Sequence, residues 1–339
     1  MVFKKLLGSL GLGGPTVDTV LSHGAVLPGG PLAGEVRLKG GERDVEIEHV
    51  VLELLAHVEA ETEEGEQHGT VAFERFTVGG GFRLAKGEDT TVPFSVVVPW
   101  ETPVTELYGQ SLGIVLGVRT ELGVAGARDK GDLDPLTVRP LAVQEAVLEA
   151  FGQLGFGFLS ADLEYGRIAG TRQQLPFYQE IEISPSPRYS SVLNEVEVTF
   201  LAGPHGVDVV LEADRNGGHG VHGDSLARFS VTHEDVGRTD WNTMVDGWVR
   251  RLVEAHAPDG GAALFGAHAH HEGHYGHHQD HGHHGHHEEH GHGRRSGPGV
   301  GTAVAAGAAG LAVGVAGGLV AAEVVDEVGD FFEGEDEEG

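Results

Sequence analysis

The sequence predicts an all-β fold: two antiparallel β-sandwich domains with a few short helices, followed by a low-complexity tail. Three observations carry that prediction. Apolar and polar residues alternate through segment after segment, so each strand has one face to bury and one to wet. Clusters of proline and glycine interrupt the alternation at short intervals and mark turns. From Pro258 onward the composition shifts to histidine, glycine, alanine and acids, from which no packed core forms. The resulting division is 1–139 and 140–257 for the two sandwiches, 258–299 for a His/Gly-rich disordered linker, 300–322 for a Gly/Ala-rich apolar segment and 323–339 for an acidic disordered tail.

At the start of the chain, Phe3, Leu6, Leu7 and Leu10 fall at helical spacing and predict a short helix packed onto the body. The apolar run there is broken by Gly8, Ser9 and Gly11 and does not read as a secretory signal. Period-two spacing begins after Pro15, with strands at Val17–Leu21 and Gly34–Leu38 on either side of the turn Pro28-Gly29-Gly30-Pro31. Val45 and Ile47 then face one way, while Val50, Leu52, Leu54, Ala56 and Val58 run in the opposite phase. That slip of one residue predicts a β-bulge near Glu48 or His49.

Further strands are expected at Val71–Val78, Val92–Val98 and Leu112–Leu122, and the acids Glu61, Glu63, Glu64 and Glu66 read as a solvated hairpin tip. Asp129, Asp132 and Asp134 invite a calcium reading. Their spacing lacks the alternating ligands, central glycine and distal glutamate of an EF-hand, so a loop leading into a strand at Leu136–Val138 is expected.

Leu141, Val143, Val147, Leu148, Phe151 and Leu154 recur at helical steps between Pro140 and Gly155 and predict an amphipathic helix. Alternation returns at Phe177–Ile183, Val192–Leu201, Val207–Ala213 and Leu226–Thr232. Thr239 and Asp240 offer a cap for a last helix, Trp241–Val253, on which Trp241, Val245, Trp248 and Leu252 share one face and read as core. His219, His222 and Asp224 fall in a glycine-rich loop and read as a polar turn. The sequence is read as holding no nucleophile elbow, P-loop, dinucleotide fingerprint or zinc-protease helix, and hence no enzyme.

Several short words stand in a fixed order: Val17-Asp18-Thr19-Val20-Leu21, Pro28-Gly29, Gly34-Glu35-Val36 and Gly40-Gly41, then Pro93-Phe94-Ser95, Val98-Pro99, Pro103, Asp132 and Asp134. Leu154 to Phe158, reading LGFGF, continues the series. Together they resemble the SpoOM family of sporulation-control proteins, which are arrestin-like regulators. The resemblance implies an arrestin-like pair of β-sandwiches, a regulatory or scaffolding role in bacterial development exercised through other proteins, and no catalysis. The acidic stretch Glu61–Glu66 and the long tail depart from the family pattern and put the partner surface in question.

Composition bounds the partners. With 22 Lys and Arg against 52 Asp and Glu, the net charge is −30, which repels nucleic acid and anionic lipid. Cysteine is absent, so disulfides and thiolate chemistry are excluded, in keeping with a cytoplasmic protein.

In the tail, thirteen histidines crowd one stretch: His268, His270, His271, His274, His277, His278, His281, His283, His284, His286, His287, His290 and His292. Neutral imidazoles at such spacing suit zinc, nickel or copper, which makes metal binding or buffering the alternative function; a flexible linker is the competing reading. The same cluster gains positive charge near pH 6 and can counterweigh the acidic body. Val300–Ala322 is uncharged, and 15 of its 23 residues are alanine or glycine. Gly310, Gly314 and Gly318 repeat the small-residue step that lets helices approach closely. Membrane association, self-association and disorder all remain open for it.

Overall fold

The computed structural model describes residues 13–254, apart from residue 23 and residues 63–64, 127–128 and 216–224. The expected helix at Phe3–Leu10, the loop with His219, His222 and Asp224, and the whole tail lie outside the described residues. In chain order the strands of the first half are β1 (Thr16–Leu21), β2 (Pro31–Lys39), β3 (Val45–Thr62), β4 (Gly65–Gly79), β5 (Phe82–Leu84), β6 (Asp89–Val97), β7 (Glu106–Leu107), β8 (Gln110–Ser111), β9 (Leu116–Val124) and β10 (Lys130–Pro135). Helix α1 (Ala142–Gln153) follows, then β11 (Gly157–Tyr165), β12 (Phe177–Ser184), β13 (Leu193–Gly203), β14 (Gly206–Arg215), β15 (Ser225–Thr232) and α2 (Trp241–Glu254).

Strands β1, β2 and β6 form a three-stranded antiparallel sheet. It faces β3, β9 and β10, and the apolar positions of both layers meet in one core that includes Val36, Leu38, Leu52, Leu54, Leu116 and Val118. Gly34 shows why the layers need a missing side chain: a Cβ there would lie 2.7 Å from the Phe94 ring and 2.5 Å from the Val20 carbonyl oxygen. The bulge expected near Glu48 is present, as the register of β3 against β9 shifts between Ile47 and His49. It lets Ile47 and Val50 both point into the core despite their opposite parity.

Two sequence expectations shift. The strand expected at Leu112–Leu122 begins at Leu116: Leu112 still donates its N–H to the Thr105 carbonyl at 2.9 Å, and Gly113 at a φ of 86° turns the chain before β9 starts. Residues 130–135 are strand and not loop: β10 pairs with β9, and Asp132 on it accepts a hydrogen bond from the Thr19 backbone N–H at 2.6 Å.

The second core lies between β11–β15 and the two helices. Ile181, Val198, Leu211 and Ala227 sit opposite one another in a single row across β12–β15. Helix α1 lays Val143, Val147, Ala150 and Phe151 on that side, and α2 adds Val245, Trp248, Val249 and Leu252. Asp240 receives the Thr243 N–H at 3.1 Å, the cap the sequence suggests. The first core also takes Leu163, Leu175 and Phe177 from beyond residue 140. Both cores therefore draw on one sheet, which runs β10-β9-β3-β11-β12-β13-β14-β15.

Trp248 is 6% exposed and stacks on Phe229 with ring centroids 4.9 Å apart. Trp248→Ala is expected to lower unfolding free energy by about 3–5 kcal/mol, read as a fall in denaturant midpoint. A loss within about 0.5 kcal/mol would mean that this stack does not hold α2 on the sheet.

Candidate functional site

A strand shows its odd and even residues to opposite faces of a sheet. In β11–β15 one parity is largely apolar and feeds the two cores. On β11 to β14 the other parity carries the acids. Glu182, Glu197 and Glu212 stand directly opposite one another across β12, β13 and β14, in a row flanked by Ser160 and Leu226. One step along, Asp162, Glu180, Thr199, Val210 and Arg228 form the next row. Glu164 and Tyr178 pair beyond it, and Glu195 and Asp208 share the same face by parity.

All eight carboxylates of this face are half-buried. Among the described side chains of these strands, register gives the face one cation, Arg228. It donates to the Gly170 carbonyl in the β11–β12 connection, which thereby reaches the outer strand. That connection is ordered by Gln173, whose amide donates to the carbonyls of Gly166, Leu175 and Phe177 at 2.8, 2.9 and 3.2 Å.

Like charges held opposite one another in partial burial disfavour ionisation. Burial pushes the Glu180 carboxyl up to about 9, with Glu197, Asp162, Glu164 and Glu212 adding to the shift. Burial likewise raises Glu197 to about 8, reinforced by Glu212, Glu195 and Glu182. Tyr178 is raised by burial and by Glu180 and Glu164. Such a face suits a positively charged ligand surface and can take up and release protons.

Two groups of side chains bring donor atoms within 4.8 Å of one another: Asp162 with Glu164 and Glu180 on this face, and His49 with Glu121 and Asp129 at the bulge of β3. In the second group the imidazole lies over Gly123, where a Cβ would come within 2.3 Å of the ring. Its Nε2 is 2.9 Å from Glu121, and Arg75 donates to the same carboxylate oxygen at 3.1 Å. The arginine thus already supplies that carboxylate's counter-charge.

The thirteen tail histidines expected to take a metal, and the apolar segment 300–322, lie outside the described residues. Among the described residues no helix is long and apolar enough to cross a membrane. One sequence reading needs correction. Gly109–Gly113 does spell G-x-S-x-G, but Ser111 sits in the two-residue strand β8 of a hairpin and not at a strand-to-helix turn, and its Oγ accepts the Gly113 N–H at 3.2 Å. Gly218–Gly223 spells G-x-G-x-x-G between β14 and β15, two antiparallel strands where a dinucleotide site needs a strand and a helix. The sequence showed acids alternating with apolar residues at Glu180–Ile183 and Glu195–Val198; it did not show that three strands would align them.

Two cores on a shared sheet, with charged surface carried by its strands, define a mostly-β protein of several sheets with two helices among the described residues. The chain belongs to the SpoOM protein family, whose model matches residues 3–217. The sporulation-control protein Spo0M of Bacillus subtilis (strain 168) is 35% identical over 214 residues, covering 63% of this chain and 80% of that protein. The crystal structure of Spo0M from Bacillus subtilis superposes with a TM-score of 0.61 and 28% identity, covering 71% of this chain and all of that one.

Folded Glu180 and Glu197 hold their protons to about 9 and 8, whereas the unfolded chain releases them near the ordinary value of about 4.3. Between those limits the folded state binds more protons, so stability is greatest at the acid end and falls as pH rises through the window. Glu180→Gln is expected to leave stability unchanged near pH 4.5 and to raise it at about pH 8.5, by on the order of 2 kcal/mol or more. Identical denaturant midpoints for variant and wild type at both pH values would show that the face carries its charge without strain.

Proposed function

We propose that this protein is a non-enzymatic, cytoplasmic regulatory scaffold of sporulation-control type that binds other proteins, and that its acidic sheet face is the surface they meet. Family membership supports the regulatory part. The observation that carries the binding surface is the row Glu182, Glu197, Glu212, where three carboxylates oppose one another on neighbouring strands. Cross-strand like charges destabilise a sheet, and solubility alone is met by scattered surface acids. A partner bearing lysine or arginine relieves that repulsion on docking and is steered toward the face from a distance.

The test is crosslinked capture from the native host with the full chain and with a Glu182→Lys, Glu212→Lys variant whose unfolding midpoint is checked first. The wild type is expected to enrich partners with basic surfaces, with affinity that weakens as salt rises, and the variant to lose them. If both proteins retain the same partners to the same degree, recognition lies elsewhere on the fold, at open sheet edges such as that of β15.

A further inference from the structure

Charge and reach together single out one occupant for the acidic face within the chain itself. Residues 268–295 contain the thirteen histidines, Arg294 and Arg295, and four carboxylates, so this stretch carries a charge of −2 with neutral imidazoles and +11 with all of them protonated. It is the stretch of the chain whose charge sign reverses near neutral pH, because an unperturbed imidazole titrates at about 6.5.

Helix α2 packs against β14 and β15 on the apolar side of the sheet and ends at Glu254. Strand β15 is the outer strand of the sheet, so one edge separates the end of α2 from the acidic side. The thirteen residues 255–267 precede the first of the thirteen histidines and extend to at most about 45 Å, several times the ~10 Å spacing of packed layers. The linker is therefore long enough to round β15, where Leu226, at 51% exposure, and Arg228 line the approach.

We infer that the histidine-rich stretch 268–295 docks on the acidic face of β11–β15 when its imidazoles are protonated and leaves it when they are neutral. This rests on taking that face as the scaffold's docking surface, and it makes the tail a pH-dependent competitor for the same site.

The groups the stretch meets are known strand by strand. From β11 come Asp162 and Glu164, the latter beside Glu59 of β3, whose carboxylate is 3.6 Å from His68. From β12 come Tyr178, Glu180 and Glu182, and from β13 Glu195 and Glu197. Strand β14 adds Asp208, which accepts the Ser230 hydroxyl, and Glu212; β15 adds Arg228, the one repulsive group among the described side chains of these strands. A docked cation favours the charged forms of Glu180 and Glu197, so those two carboxyls release protons on docking, fewer than the thirteen imidazoles take up.

The absence of cysteine makes the test clean. A single Gly282→Cys substitution in the full chain carries a nitroxide label, and amide signals of the described strands are compared with label oxidised and reduced. At about pH 6 the amides of β12–β14 are expected to lose most of their intensity, and at about pH 8 to recover it. The loss is expected to vanish in Glu182→Gln, Glu212→Gln protein and when the thirteen histidines are replaced by glutamine. Broadening spread evenly over the surface, confined to another face, or independent of pH overturns the inference. So does broadening that appears only between separately labelled molecules, which means a second copy is the occupant. Host partners captured by the wild type and lost from the face variant still support the scaffold reading if the tail never docks, so the two ideas fail separately.

Discussion

Strand β3 is the constraint on which the rest of the structure depends. Its eighteen residues pair with β4, β5 and β9 antiparallel and meet β11 in parallel at Glu59 and Glu164. A slip of one residue anywhere along it would turn its whole apolar set outward. The slips that do occur are placed to serve the core: one between Ile47 and His49 against β9, and others at Val50/Val51 and Leu54/Leu55 against β4. Polar side chains then close the seam between the halves. The Gln179 amide exchanges two hydrogen bonds with the Val104 backbone, each 2.9 Å, and Glu101 accepts the N–H groups of Gln174 and Leu175 at 2.7 and 2.9 Å.

The two halves treat cross-strand charge in opposite ways. On β4, β3 and β9 the row reads Arg75, Glu53, Arg119, alternating in sign. Glu53, only 4% exposed, is held by both arginines, with Arg119 Nε at 2.7 Å. Asp246 on α2 is handled the same way: Tyr189 donates to it at 2.6 Å and Arg188 at 3.0 Å, and its carboxyl is held below the ordinary range chiefly by the tyrosine bond. On β12, β13 and β14 the row repeats one sign. The chain can neutralise buried charge where stability requires it. On this one sheet face it concentrates charge of a single sign instead.

Much of the fold was legible because period two survives translation into structure. The bulge, the helix at Ala142–Gln153, the cap at Asp240 and four of the five strands of the second half, β12 to β15, follow from residue spacing, whereas β11 does not, its apolar and polar residues keeping no clean alternation. Less was legible where pairing overrides pattern: residues 130–135 read as a loop because three aspartates look wet, yet Asp132 is consumed by the Thr19 backbone. The acidic face was half legible. Each strand's alternation of acid and apolar is plain, but the register that sets Glu182 against Glu197 and Glu197 against Glu212 is fixed by hairpin geometry at Gly203–Gly206 and by the loop before Leu193. Spacing within one strand holds no information about its neighbour's offset.

The placement of that face also explains how charge there can change without unfolding the protein. In a sheet, core and surface are separated by one residue along the chain, and here Ile181, Ile183, Val196 and Val198 sit between the acids and hold the second core. Protonating, neutralising or covering Glu180 and Glu197 alters one face while the apolar residues beside them keep their contacts with α1 and α2. A helix would carry its polar and apolar sides on a single narrow cylinder. Four strands, β11 to β14, spread the acids over several rows of one sheet face, so that the charge of that face is set apart from the core behind it.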